Sequence, residues 1–131
     1  MPLDPVLASV LQMMSASGAP AISAGTPQQA RDGFRAMTVG LRNPAQLAQV
    51  GDITDRVVDG PGGSVPVRVY RPTTGGPHPT VVFFHGGGFV IGDLDTHDDH
   101  ARLLCRDVDA VVVSVDYRLA PEAPFPAGLE D

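Results

Sequence analysis

A chain of 131 residues, 43% apolar and 18% charged, is long enough for one modest globular domain or for part of a larger one. Its net charge of −6 argues against a nucleic-acid surface, and its nine basic residues are all arginine, which excludes Schiff-base lysines and the Walker-A phosphate loop. No apolar run approaches the about 18 residues of a membrane span, Met1-Pro2-Leu3-Asp4-Pro5 lacks the positive region of a secretory signal, and the lone Cys105 cannot form an internal disulfide, so no transmembrane segment and a cytoplasmic location are expected.

Two amphipathic helices are predicted first. Asp4 is placed to cap a helix with Pro5 at its first position; Val6, Leu7, Val10, Leu11 and Met14 form one apolar stripe, and Gly18 ends it. Thr26-Pro27 repeats the device, with Gln29 completing a capping box and Ala30, Phe34, Met37 and Leu41 as the stripe. Both stripes need a surface to bury against. From Asp52 the period changes to two. DITDRVVDG and VPVRVY, joined by Gly60-Pro61-Gly62-Gly63, predict an antiparallel hairpin with Val65, Val67 and Val69 on one face and Pro66 and Arg68 on the other. A proline there suits an edge strand. TVVFF (80–84) and AVVVSV (110–115) are apolar on both faces, the pattern of parallel strands covered by helices. Between them a helix from about Thr96 to Asp107 is expected, capped by Asp95 and burying Ala101, Leu104, Cys105 and Val108. Strand, glycine loop, helix and strand make a right-handed βαβ unit, followed by the proline-rich YRLAPEAPFPAGLED.

Three consecutive glycines directly after an apolar strand mark a place where something approaches the backbone closely or where φ must be positive. A dinucleotide fingerprint needs a third glycine where Ile91 stands, and there is no lysine for a P-loop. His97, Asp98, Asp99 and His100 could in principle ligate a metal; Asp98 and Asp99 in a helix's first turn, where the macrodipole favours anions, explain them without one. Neither a metal nor a cofactor is expected. The remaining reading is an oxyanion hole, in which backbone N–H groups stabilise the tetrahedral intermediate of acyl transfer.

FFHGGGFVIGDLDTHD together with VVVSVDYRLAPEAPFPAGLED closely resembles the hormone-sensitive-lipase-like family of α/β-hydrolase esterases and lipases, and DRVVDGPGGSVPVRVYRP is similar to that family's opening strands. The resemblance implies the N-terminal part of an α/β-hydrolase fold. Residues 1–50 would be cap-like helices, and 51–131 the N-terminal half of the core, truncated before the nucleophile turn. It implies Gly87 and Gly88 as oxyanion donors, with His85, Gly86 and Phe89 as supports of the loop. It also implies a small carboxylic ester as substrate.

A serine hydrolase further needs a nucleophile in G-x-S-x-G, an acid and a histidine. The chain has no such string. Ala21-Ile22-Ser23-Ala24-Gly25 follows no strand and has alanine in place of the first glycine; Ser64 lies in a hairpin turn, Ser114 inside an apolar strand, and Cys105 on a buried helix face. Asp116, His97 and His100 precede the positions of the family's acid and base. Losing the nucleophile costs about 10⁶ in rate, so residues 1–131 alone are expected to be inactive. With no further strand beside TVVFF they are also expected to be poorly soluble or molten. The alternatives are a non-catalytic fragment or pseudoenzyme, half of a split esterase whose partner is a complementary C-terminal fragment, and a module that binds an anion in the glycine nest.

Overall fold

The computed structural model describes residues 3–18 and 21–131. Helix α1 (Pro5–Ala16) starts as expected: the Asp4 carboxylate accepts from the N–H groups of Val6 and Leu7 at 2.8 and 3.2 Å. It buries none of its residues, so its apolar stripe faces outward. Helix α2 (Pro27–Arg35) has the capping box in full, Gln29 N–H donating to Thr26 Oγ1 and Thr26 N–H to Gln29 Oε1. It runs into a π-helical turn over Ala36–Gly40, and a short 3₁₀ turn, Pro44–Gln46, follows.

The sheet has four strands, β1 (Asp52–Gly60), β2 (Gly63–Arg71), β3 (Thr80–Phe84) and β4 (Val111–Val115), in the order β1-β2-β4-β3. The first two pairings are antiparallel, and β3 runs parallel to β4 with Thr80 opposite Val111 and Phe84 opposite Val115. Alternation along the strands separates two cores. Val65, Val67, Val69, Val115 and Tyr117 pack on one face. Tyr70, Val112, Ala101 and Cys105 pack on the other, where helix α3 (Asp98–Val108) lies. A short helix α4 (Ala127–Glu130) follows the proline-rich segment, in which Ala120–Pro121 and Phe125–Pro126 are cis.

Four expectations are corrected. Pro66 is not on an edge strand: β2 lies between β1 and β4. Proline is tolerated because Pro66 sits just beyond the β2–β4 pairing that runs from Val67 to Tyr70, and its carbonyl accepts from Asp116 N–H at 2.9 Å. Strand β3 is outermost, as the lack of a further strand beside it implied, but it is not covered on both faces: Val82 and Phe84, on the face away from α3, are 54% and 59% exposed. Val108, at the end of α3, is 55% exposed rather than buried. Asp95 does not cap α3. Its carboxylate is drawn instead to Arg35 (2.5 Å) and Arg68 (2.9 Å), and Asp93 and Thr96 exchange bonds of 2.8 and 2.7 Å to turn the chain into the helix.

Candidate functional site

The glycine loop leaves the end of β3 beneath a stack of rings. His85 is buried, its ring 4.4 Å from Tyr117 and 5.0 Å from His97, centre to centre, both stacked. The Tyr117 hydroxyl donates to the His85 carbonyl at 2.6 Å, which ties the strand end to the segment after β4. His85 Nδ1 lies 3.0 Å from the Gly86 carbonyl. A carbonyl can only accept, so Nδ1 carries the proton, and the ring holds the first peptide of the loop. Nε2 is buried with no partner among the described residues.

Gly87 and Gly88 have φ of +137° and +61°. A Cβ on Gly87 would sit 1.9 Å from the Ile91 carbonyl oxygen, so only glycine fits; at Gly88 the space is open and the constraint is the backbone angle alone. Phe89 also takes a positive φ, 60°, uncommon for a bulky side chain. Its ring sits edge-on to Tyr117 at 5.8 Å, and its carbonyl accepts from Ala120 N–H at 2.8 Å. Gly92 closes the loop against His85: a Cβ there would lie 2.4 Å from Nδ1.

The resulting polarity is one-sided. The Gly86 carbonyl takes the His85 bond, Gly87 accepts from Val90 and Ile91 N–H at 3.1 Å each, Phe89 from Ala120, and Val90 from Arg31 at 2.8 Å. The N–H groups of Gly87 and Gly88 donate to no acceptor among the described residues. Four of the loop's carbonyls are thus engaged, that of Gly88 not among them, while two successive N–H groups find no acceptor among the described residues, as in a backbone anion nest. Chemically, free N–H groups can stabilise an anion; they supply no nucleophile to attack a carbonyl carbon.

The charges around the loop belong to other tasks. Burial, reinforced by repulsion from His85 and His100, holds His97 below the ordinary histidine value. Burial also raises the Asp116 carboxyl. The bond from Arg31 pulls Glu122 down to about 2. Asp98 is buried and accepts from the Tyr70 hydroxyl at 2.8 Å and from Arg102 Nε at 2.7 Å, so it belongs to the α3–sheet contact rather than to a metal site. Among the described residues no group of three or more His, Cys, Asp or Glu is arranged to hold a metal ion.

His85 thus lies buried against the loop that Gly86, Gly87, Gly88 and Phe89 form. Ser23, Ser64 and Ser114 do not join it. Ser23 lies exposed between the first two helices, Ser64 is in the hairpin, and the Ser114 hydroxyl is buried in β4 without a partner among the described residues. Cys105 is buried in the α3 core, and burial raises its thiol pKa. What sequence reasoning missed is the arginine set of the second helix and the turn that follows it. Arg31, Arg35 and Arg42 reach the segment between β3 and α3 with bonds to Val90, Asp93 and Asp95, Arg42 also pairing with Asp99 of α3, and their only signal was position on the polar face of an amphipathic segment.

Comparison with known proteins gives a consistent picture. A family model described as alpha/beta hydrolase fold matches residues 81–131. The carboxylic ester hydrolase LipN of Mycobacterium tuberculosis is 59% identical over 80 residues, covering 61% of this chain and 21% of that protein. The esterase LipI of the same organism is 54% identical over 105 residues, covering 76% and 33%. Among solved structures, a hyperthermophilic esterase from Pyrobaculum calidifontis superposes with a TM-score of 0.88 at 42% identity, over 99% of this chain and 41% of the other. An ester hydrolase from the metagenome of Lake Arreo does so with a TM-score of 0.89 at 34% identity, over 99% and 42%. The chain thus spans between about a fifth and two fifths of the length of these proteins.

Proposed function

Because the chain belongs to the hormone-sensitive-lipase-like family of α/β-hydrolase esterases, we propose that residues 1–131 supply the oxyanion-stabilising part of a serine carboxylesterase acting on small carboxylic esters. Residues 1–50 serve as the cap-like part and 51–131 as the first half of the catalytic core. The observation that carries this reading is the state of the loop's backbone: the carbonyls of Gly86, Gly87, Phe89 and Val90 are engaged, while Gly87 and Gly88 N–H have no acceptor among the described residues.

In the proposed reaction an activated serine attacks the ester carbonyl. The carbonyl oxygen takes the developing negative charge and points at the N–H groups of Gly87 and Gly88. The intermediate collapses to an acyl-enzyme with release of the alcohol, and water then attacks the acyl carbon through a second intermediate held by the same N–H groups. His85, Gly86 and Phe89 keep those groups aimed, so that no reorganisation is needed when charge develops. Each such donor is worth roughly 10²–10³ in rate.

These 131 residues hold no G-x-S-x-G, so nucleophile, acid and base must come from polypeptide beyond them, in the same reading frame or as a complementary fragment. The test is to read the DNA that follows the codon for Asp131 in all frames. A G-x-S-x-G string followed by an acidic residue and a histidine supports the esterase. Their absence from every frame, with saturable phosphate binding by the chain itself, would replace it with an anion-binding module.

A further inference from the structure

Helix α2 reaches the glycine turn itself through Arg31, while its Arg35 bonds Asp93 farther along the chain. Arg31 is largely buried, 22% exposed, and its guanidinium is used on every side. Nε donates to the Val90 carbonyl at 2.8 Å and Nη2 to the Ala120 carbonyl at 2.8 Å, while Nη1 and Nη2 grip the Glu122 carboxylate at 2.9 and 2.7 Å. Ala120 also donates its own N–H to Phe89. The bonds therefore close a ring: Arg31 to Val90, along the chain to Phe89, across to Ala120, and back to Arg31. Val90 and Ile91 are the residues whose N–H groups hold the Gly87 carbonyl, so this ring fixes the Gly87–Gly88 peptide, whose other side carries the Gly88 N–H.

We infer that Arg31 is a positioning residue for the glycine loop, a clamp from the cap-like helix that locks the Gly87–Ile91 turn onto the Ala120–Glu122 segment. A planar fork with several donors in set directions can join these acceptors at once; a lysine ammonium is a point charge and cannot reach both carbonyls and both carboxylate oxygens together. Glu122 orients the fork through its outer edge and leaves the inner donors for the carbonyls. The catalytic consequence rests on the oxyanion function proposed above, whereas the mechanical one does not.

The experiment uses the full-length gene product, unaltered and with Arg31→Met or Arg31→Lys. Residue-resolved amide exchange is followed at Val90, Ile91 and Ala120, with the β1–β2 ladder as internal reference. Hydrolysis of a short-chain p-nitrophenyl ester is measured alongside. For Arg31→Met we expect exchange at the three amides to rise at least about tenfold with the hairpin unchanged, and kcat to fall roughly 10- to 100-fold with KM held, as for about 1 Å of misplacement. Arg31→Lys should lie between. If the unaltered protein hydrolyses no ester while the local exchange change is seen, the esterase reading falls and the clamp stands. If exchange at the three amides is unchanged, or rises only in step with the hairpin, the clamp is overturned. A local rise in exchange with kcat intact would overturn its catalytic role.

Discussion

Gly87 and Gly88 are adjacent, both at positive φ, and constrained for different reasons. At Gly87 a methyl group would strike the Ile91 carbonyl oxygen, backbone that cannot swing aside; at Gly88 nothing stands within 4 Å. Gly87→Ala should therefore break the turn, with loss of the protection of Val90 and Ile91 and a fall in ester hydrolysis by the complete enzyme of about 10²–10³. Gly88→Ala should keep the turn and cost about 1–2 kcal/mol for a non-glycine residue in the left-handed region. Urea unfolding and amide exchange of the pair check this, and equal effects at both positions would contradict it. His97 makes a second prediction at this scale. Burial first, and then His85 and His100, hold it below its ordinary value of 6.5. Between its folded pKa and 6.5 the unfolded chain binds the extra proton, so this histidine's contribution is complete above 6.5 and declines as pH falls below it. The urea midpoint should drop on acidification through that window, and His97→Gln should flatten the slope; parallel slopes would count against it.

At the scale of elements, the sheet ends where its most apolar strand begins. Among the described residues strand β3 has a partner only on the β4 side, and Val82 and Phe84 face outward on it. An exposed apolar edge recruits other strands, so residues 1–131 by themselves should associate or behave as a molten species in size exclusion and thermal melting. A cooperative, monodisperse monomer would show that the edge is tolerated. Much of this level was legible in the sequence because it is local. The Asp4 cap, the Thr26–Gln29 box, and the alternation of Val65, Val67 and Val69 depend on residues a few positions apart, and each stands as read. Asp95 was misread as a cap because its true partners, Arg35 and Arg68, lie 60 and 27 positions away and no local pattern announces them. The coverage expected of TVVFF was misread for a related reason: an apolar strand reports that it needs two covered faces, not that these residues contain the cover.

For the molecule as a whole, two core clusters, one on each face of a four-stranded sheet, hold a loop in which four carbonyls are engaged and the N–H groups of Gly87 and Gly88 donate to no acceptor among the described residues. The candidate loop was legible as His85 to Phe89, since glycines after a strand carry their own signal; the α2 clamp on it was not, because an arginine on a polar helix face looks like any solvated charge. The measurement that tests the central claim most directly is hydrolysis of a p-nitrophenyl ester by purified residues 1–131, alone and after addition of the polypeptide encoded beyond Asp131. The account predicts no turnover above background for the chain alone, and activity on complementation that Gly87→Ala removes. Turnover by residues 1–131 alone, with a serine of this chain becoming labelled, would contradict it.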